Sequence, residues 1–449
     1  MTVSQDPPPF REKGLQRRLS TKENVQAKRR IAWVYSILPV NIALGPIGTF
    51  VSLSLLHSGG ASLGTVYVSL AATVFNAVSI PASIIWGLAT DRLHKRKVII
   101  VASYAVSTIV LFSFFFARSP SAIIFVYAMV SFITAASATP LNLLVMETEP
   151  KNRWAIGFAK LSLVASFGSI LGYVLSAVWA QFLPVIWLII PLGVLALTSA
   201  AASVVLIQEP GFVFEREVIT LQRQGFFHRM STFPMLFLTV PKPADFNRTF
   251  KGLQHELTSY TPLLYISIVI FYFASGIFNT SLVPAFTSHS LTESEVYGVT
   301  VAALVAQVLT FRYAGRIIAK SSLTRVASRS LVLRGASYAL LGVASVFVVG
   351  TWFIIPTLIL YPLASGVAYG LYYTASNTMV FDAIKGNRQG SALGVYSAIV
   401  GVATTIGCLV SGVVSVYLGF HTTFILAGGL LCIAAFVTAR LANRAHDTT

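Results

Sequence analysis

The sequence predicts an all-α membrane protein whose twelve transmembrane helices form two six-helix bundles. Three observations carry that expectation: a scarcity of charge, a regular series of charge-free gaps, and a repeat that relates the two halves. A soluble domain carries roughly 25% charged residues, whereas this chain of 449 residues carries 10% and is 55% hydrophobic. Its mean hydropathy is +0.76. So few charges cannot clothe the surface of a water-soluble globule, and lipid must solvate much of it.

The gaps locate the helices. A charge at the bilayer centre costs about 2.5 to 3.5 kcal/mol on insertion scales, and a spanning helix needs about 20 residues. Segments free of Asp, Glu, Lys and Arg run 31–90, 98–117, 119–146, 161–208, 257–292, 296–311, 335–381 and 389–439. The first is long enough for spans one and two, with a break predicted at His57-Ser58-Gly59-Gly60. Spans three and four follow singly. The 161–208 gap holds spans five and six, divided at Gln181-Phe182-Leu183-Pro184. Spans seven and eight are single, and the eighth, whose gap is short, is expected to continue past Arg312. The last two gaps hold spans nine to twelve, divided at Gly350-Thr351 and at Gly419-Phe420-His421.

The basic residues orient this path. With twelve spans both termini share a side, and the tails and loops of that side hold 31 of the 32 Lys and Arg. Arg118 stands alone on the other. Positive charge collects on the cytoplasmic face, so both termini are expected in the cytoplasm and the membrane is expected to be the plasma membrane. The net charge of +17 is thus a topology signal with lipid head groups as partners, and a nucleic-acid role is not expected. Residues 1–30 are polar and basic and lack the features of a cleaved secretory signal. The expected organisation is a cytoplasmic tail at 1–30, a six-helix bundle at 31–208, a cytoplasmic linker at 209–256, a second bundle at 257–441 and a tail at 442–449. Within the linker, Phe233 to Val240 is too short to span; it fits either an interfacial segment or a loose connection.

A repeat ties the halves together. Asn142, Val145, Glu147, Asn152 and Arg153 map onto Asn377, Val380, Asp382, Asn387 and Arg388 at a constant offset of 235 residues, as do Ser162 onto Ser397 and Gly172 onto Gly407. Two parallel six-helix halves are the signature of membrane carriers built by duplication. A weaker correspondence relates Gly87-Leu-Ala-Thr-Asp91-Arg92-Leu-His-Lys95-Arg96-Lys97 to Gly315 through Lys320, with Ala319 in place of the acid.

The 87–97 stretch, together with span count, linker and repeat, resembles the major facilitator superfamily: a glycine, three residues, Asp-Arg, then a basic cluster. Ala89 and His94 depart from the usual leucine and second glycine. The resemblance implies that Asp91 faces the start of span eleven near Gly390 and Ser391. Gly87, Asp91, Arg92, Lys95 and Glu147 would then form a cytoplasmic gate. Arg153 and Arg388, each six residues after an acid (Glu147 and Asp382), would brace the two halves or else extend to the lipid head groups. The resemblance further places a solute site centrally, lined by Asn41, Ser131, Thr134, Asn279, Tyr369, Tyr372 and Tyr373, with Gln307 and Asn76 as secondary candidates. Each of these polar groups fits equally a helix-bridging role, because in lipid it must find a partner.

No Asp, Glu, Lys or Arg is expected in the middle of any span, which points to a small neutral, aromatic or lipophilic solute moved by alternating access. A transport-inactive sensor or assembly protein of the same fold is the alternative, and proton-coupled drug antiport is a lesser one. Hydrolysis or lipid transfer would need paired carboxylates, a metal set or a Ser/His pair. The seven histidines are scattered, and Gly315 to Ser321 lacks the second glycine of a phosphate loop. No enzyme activity, cofactor or metal is expected, and the protein should function as a monomer. Cys408 and Cys432, with no ligand spacing, are expected to be small buried hydrophobes.

Overall fold

The structure, a computed structural model, describes residues 32–93, 95–148, 154–207, 261–319, 321–383 and 389–447. Both tails and the 209–256 linker therefore fall outside the described residues or at their very edge. Within them the backbone is helical apart from short turns and connections, and eleven runs are long and apolar enough to cross a membrane. We label the passes α1 (Ala32–Gly60), α2 (Ser62–Gly87, continuing to Leu93), α3 (Arg96–Ser113), α4 (Pro120–Thr148), α5 (Trp154–Phe182) and α6 (Val185–Leu206). The second half supplies α7 (Thr261–Ser288), α8 (Glu293–Ala319), α9 (Leu323–Phe347) and α10 (Gly350–Val380). The eleventh run, Tyr396–Leu441, has 46 residues, roughly 69 Å of helix at 1.5 Å per residue and more than twice the hydrocarbon thickness. It breaks at Gly419, where φ is +82°, and gives α11 (389–418) and α12 (420–447). Twelve passes result.

All four expected breaks are where the chain turns. Gly60, Gly350 and Gly419 sit at φ of +67°, +65° and +82°, a region where a side chain would press on its own carbonyl. The remaining turn uses Pro184, which cannot continue a helix and precedes a short 3₁₀ segment, Val185–Leu188. The eighth pass runs to Ala319 and so contains Arg312 and Arg316.

One boundary differs in a way that matters. The charge gap placed the start of span nine at 335, but α9 begins at Leu323 and takes in Arg325, Arg329 and Arg334. Arg325 and Arg329 are exposed in the first two turns, while Arg334 is buried near the helix midpoint. The expectation that no span carries a central ion is therefore corrected. A gap search ends a span at its first charge and cannot see a cation that aromatic rings enclose.

Each half packs by the same device. In the first, Gly168 and Gly172 of α5 press on α1: a Cβ at Gly168 would fall 2.8 Å from the Asn41 Cβ, and one at Gly172 would overlap the Ile42 carbonyl. In the second, a Cβ at Gly407 of α11 would overlap the Phe273 carbonyl of α7. Small residues permit such close backbone approach where lipid offers no hydrophobic drive for helices to associate. Hydroxyls add cross-links: Ser199 donates to the Ser36 carbonyl between α6 and α1, and Ser267 pairs with Thr438 at 2.6 Å between α7 and α12. Most other Ser and Thr side chains donate to carbonyls three or four residues back on their own helix, as Thr73 does to Ser69 and Thr404 to Val400. Large apolar side chains such as Ile109, Leu197, Ile359 and Phe436 point outward, as a lipid-facing surface requires. Cys408 is buried, but Cys432 is exposed on α12, which corrects that part of the expectation.

Candidate solute path and its two ends

Odd-numbered passes run away from the N-terminus, so the turns α1–α2, α5–α6 and α7–α8 lie at the end of the molecule opposite both termini. At that end the halves are joined. His57 of α1 lies 3.5 Å from Glu293 at the start of α8. Gln181 of α5 donates to the Ser294 hydroxyl at 3.2 Å, and Ser294 donates to the Ala177 carbonyl at 2.8 Å. Beneath them Tyr173 and Tyr297 meet with ring centroids 6.1 Å apart, and Tyr297, although on α8, is buried in the apolar core of the first half. Midway along, the Ser69 hydroxyl of α2 donates to the Cys408 carbonyl of α11 at 2.9 Å, and Ser69 would meet any Cβ placed on Gly412. These contacts join the halves at this end and farther along the seam.

The terminus-bearing end holds a different link. Arg96, the first residue of α3, pairs with Glu147 near the end of α4 at 2.6 Å. Both belong to the first half, and neither side chain is more than one-third exposed.

Between the ends the second half is rich in phenols. Phe271 of α7 packs tilted against Tyr372 at 4.1 Å, and Tyr369 stacks on Tyr373 at 5.6 Å, with all three tyrosines on α10. Tyr265 approaches Tyr396 of α11 at 6.4 Å. The first half contributes Phe75 stacked on Tyr127 at 4.4 Å, with the Tyr127 hydroxyl beside Gly48. Behind the α10 rings lies Arg334 of α9. Its Cζ is 4.8 Å from the Phe271 centroid, 5.2 Å from Tyr338 and 5.1 Å from Tyr369. Its Nε donates to the Tyr338 hydroxyl at 2.8 Å, but Nη1 is buried with no acceptor. Three rings offset part of the desolvation of a cation. A buried charge with no counter-ion nonetheless costs several kcal/mol.

The sequence matches the profile of the Major Facilitator Superfamily over residues 33–238 and 264–448. The chain belongs to the major facilitator superfamily. Solved structures agree on the fold. The nucleoside transporter NupG superposes with a TM-score of 0.64 at 13% identity, covering 92% of this chain and 98% of that one. A POT family transporter in complex with 5-aminolevulinic acid gives 0.65 at 12%, covering 93% and 96%. The xylose transporter XylE from E. coli, in a partially occluded inward open conformation, gives 0.62 at 11%, covering 92% and 98%. No curated protein matches by sequence. This superfamily member is thus an integral membrane protein, and its family and structural neighbours are transporters rather than enzymes.

The structure places the residues that the sequence singled out in three groups. Asn41 donates to the Ile37 carbonyl at 2.8 Å and lies against α5. Ser131 is buried and donates to the Phe75 carbonyl of α2 at 2.7 Å, and Thr134 donates to Ser131. Asn76 donates to Ala72 and reaches the Cys408 sulfur at 3.7 Å, while the backbone of Gln307 abuts Gly366. These five sit where helices meet. Tyr372 is buried against Phe271. Tyr369 is half-buried, whereas Tyr373 and Asn279 are exposed. Asn279 follows Tyr272 by seven residues, two turns along one face of α7.

At the gate, Gly87 lies in α2, where a Cβ would meet no described atom within 4 Å, and Lys95 is exposed just before α3. Asp91 and Arg92 continue α2, and Asp382 lies on the continuation of α10 to Ala383, but their side chains lie outside the described residues. So do Arg153 and Arg388 entirely. Sequence reasoning passed over Arg96, the partner of Glu147, because one of four bases in a run carries no mark of its own. It passed over Tyr272, Tyr396, Glu293 and Arg334 as well. For Arg334 a signal existed: it is separated from Tyr338 by one helical turn, and Phe271 and Tyr369 belong to helices already expected to line the path.

Proposed function

We propose that the protein is a secondary transporter that moves a small organic solute with an aromatic or lipophilic body by alternating access between its two six-helix halves. The observation that carries this reading is the set of contacts that join the two halves at the end opposite the termini, His57–Glu293, Gln181–Ser294 and Tyr173–Tyr297. Two rigid bundles joined at one end can rock about the middle contacts, which is how a solute held between them meets each side in turn.

The positive-inside distribution supports cytoplasmic termini in a plasma-membrane protein, and we read the joined end as the outer one. Gly87, Asp91, Arg92, Lys95, Glu147, Arg153, Asp382 and Arg388 then form the cytoplasmic gate that must close when the outer seal parts. Tyr373, Tyr369 and Asn279 offer rings and an amide to the solute, and Asn41, Ser131, Thr134, Gln307 and Tyr372 hold the walls. The preference for a neutral solute rested on spans without ions; with Arg334 in place it applies only to the body of the solute that meets the tyrosines.

Reconstitution into liposomes tests the reading. A thermal-shift screen of sugars, amino acids, nucleosides and aromatic compounds supplies candidates, and flux is followed with and without a pH gradient. Saturable flux of a stabilising compound supports transport. Ligand stabilisation with no flux would instead favour the sensor reading, and gradient-dependent flux would favour proton coupling.

A further inference from the structure

The geometry points to Arg334 as the docking cation for a carboxylate carried by the transported solute; this rests on the transporter reading above. The first ground is an unmet charge. From 257 to 445 the chain contains only three acids, Glu293, Glu295 and Asp382. The first two open α8 at the far end, and Asp382 follows Tyr369 by thirteen residues on α10, roughly 20 Å along a helix rising 1.5 Å per residue. Arg334 lies about as deep within α9 and is 2% exposed. Among the described side chains no acid pairs with it. A guanidinium has five N–H donors. Nε uses one on Tyr338, and Nη1 is buried with none of its donors accepted.

The second ground is access. Arg334 is one ring behind an exposed side chain of α10. Tyr369 covers it at 5.1 Å, and Tyr369 in turn stacks on Tyr373, which is 39% exposed. Tyr272 adjoins Phe271 at 5.0 Å between ring centroids, and Arg334 lies over that same Phe271 ring. The segment just before Tyr369, Pro362–Ala368, is π-helical. Such insertions recur at functional sites, where the extra residue lets a helix change register locally. A one-residue adjustment there turns Tyr369 aside and opens Nη1 to a carboxylate entering between Tyr369 and Tyr272. The planar fork suits that acceptor better than a spherical ion, and the displaced ring remains available to stack on an apolar solute body.

The test uses the full chain in lipid nanodiscs and pairs of isosteric probes: benzoate with benzamide, and indole-3-acetate with indole-3-acetamide. Binding is read by thermal shift and by tyrosine and tryptophan fluorescence. We expect each acid to bind at least about tenfold more tightly than its amide. In Arg334→Gln that preference should fall to about one while the amide affinity is unchanged, and in Arg334→Lys it should be partly kept, because the ammonium keeps the charge without the fork. Acid and amide binding equally to the wild-type protein, or neither binding, overturns the proposal, and that arm needs no variant to fold. A preference that survives in folded Arg334→Gln also overturns it and leaves Arg334 a strut between α7, α9 and α10. Chloride or phosphate stabilising the protein as well as benzoate would assign the site to an inorganic ion and overturn the organic carboxylate. Acid-selective binding without flux would leave the site standing and remove the transporter reading; flux of amide as fast as acid would do the reverse.

Discussion

Glycine positions separate by what surrounds them. Gly407 of α11 and Gly172 of α5 have no room for a methyl group, since a Cβ would overlap the carbonyl of Phe273 or Ile42. Gly429 of α12 has nothing within 4 Å. Gly407→Ala should therefore lower stability by about 1–3 kcal/mol through overpacking. Gly429→Ala should leave stability unchanged or raise it by up to ~1 kcal/mol, because alanine is the better helix former. Thermal unfolding of the two variants in the same detergent checks the pair, and equal shifts would show that close helix approach at Gly407 does not matter. The repeat had already matched Gly172 with Gly407, yet their shared task became visible only once α5 was seen on α1 and α11 on α7.

At the scale of the element, breaks and bulges set where each helix points. Gly60 and Gly419 adopt φ of +67° and +82°, and an alanine there pays roughly 1–2 kcal/mol per residue. We expect Gly419→Ala to lower stability by that amount, read as a lower unfolding midpoint, with α11 and α12 drawn toward one continuous rod. Hydrogen exchange at 415–423 should rise; an unchanged midpoint would mean the turn is held by Ser281, Ser411, Ser415 and Thr423, whose hydroxyls interlock there. The π-helical segment of α10 makes a second prediction. Deleting Ser365 removes the extra residue and rotates everything beyond by about 100°, carrying Tyr369 off Arg334. The variant should fold, because the helix becomes regular, and yet lose at least about tenfold in solute flux, an activation change of ~1.4 kcal/mol. Flux within twofold of the wild type would show that the bulge has no part in transport. Gaps in charge located α10, but they carry no trace of a π turn, which depends on packing against α8 and α9.

For the whole molecule, the balance between the two ends is the functional quantity. His57 is 70% exposed in its pair with Glu293, so solvent screens it and its contribution is about 0.2–1 kcal/mol. Ser294→Ala would remove two further links across the seam, to Gln181 and Ala177. The combined variant Glu293→Gln with Ser294→Ala should shift the population toward the state open at this end by roughly fivefold or more, as 1–2 kcal/mol dictates. Distances between spin labels placed at Ser58 and Ser290 would lengthen; an unchanged distribution would mean that the apolar seating of Tyr297 in the first half closes this end alone.

The sequence by itself determined how often the backbone crosses the bilayer and where it turns, because ionic side chains avoid hydrocarbon and glycine or proline must stand where a helix stops. It also determined the twofold plan, since a duplication leaves its spacing in the chain. Which polar groups face one another was decided only by tertiary structure. Asn41, Ser131 and Asn76 spend their hydrogen bonds on neighbouring backbone or on other helices, whereas Arg334, read as a loop residue, stands deep in the bilayer. A side chain's partner depends on the rotation of one helix against another. That rotation is fixed by packing between residues tens to hundreds of positions apart, which no local pattern records.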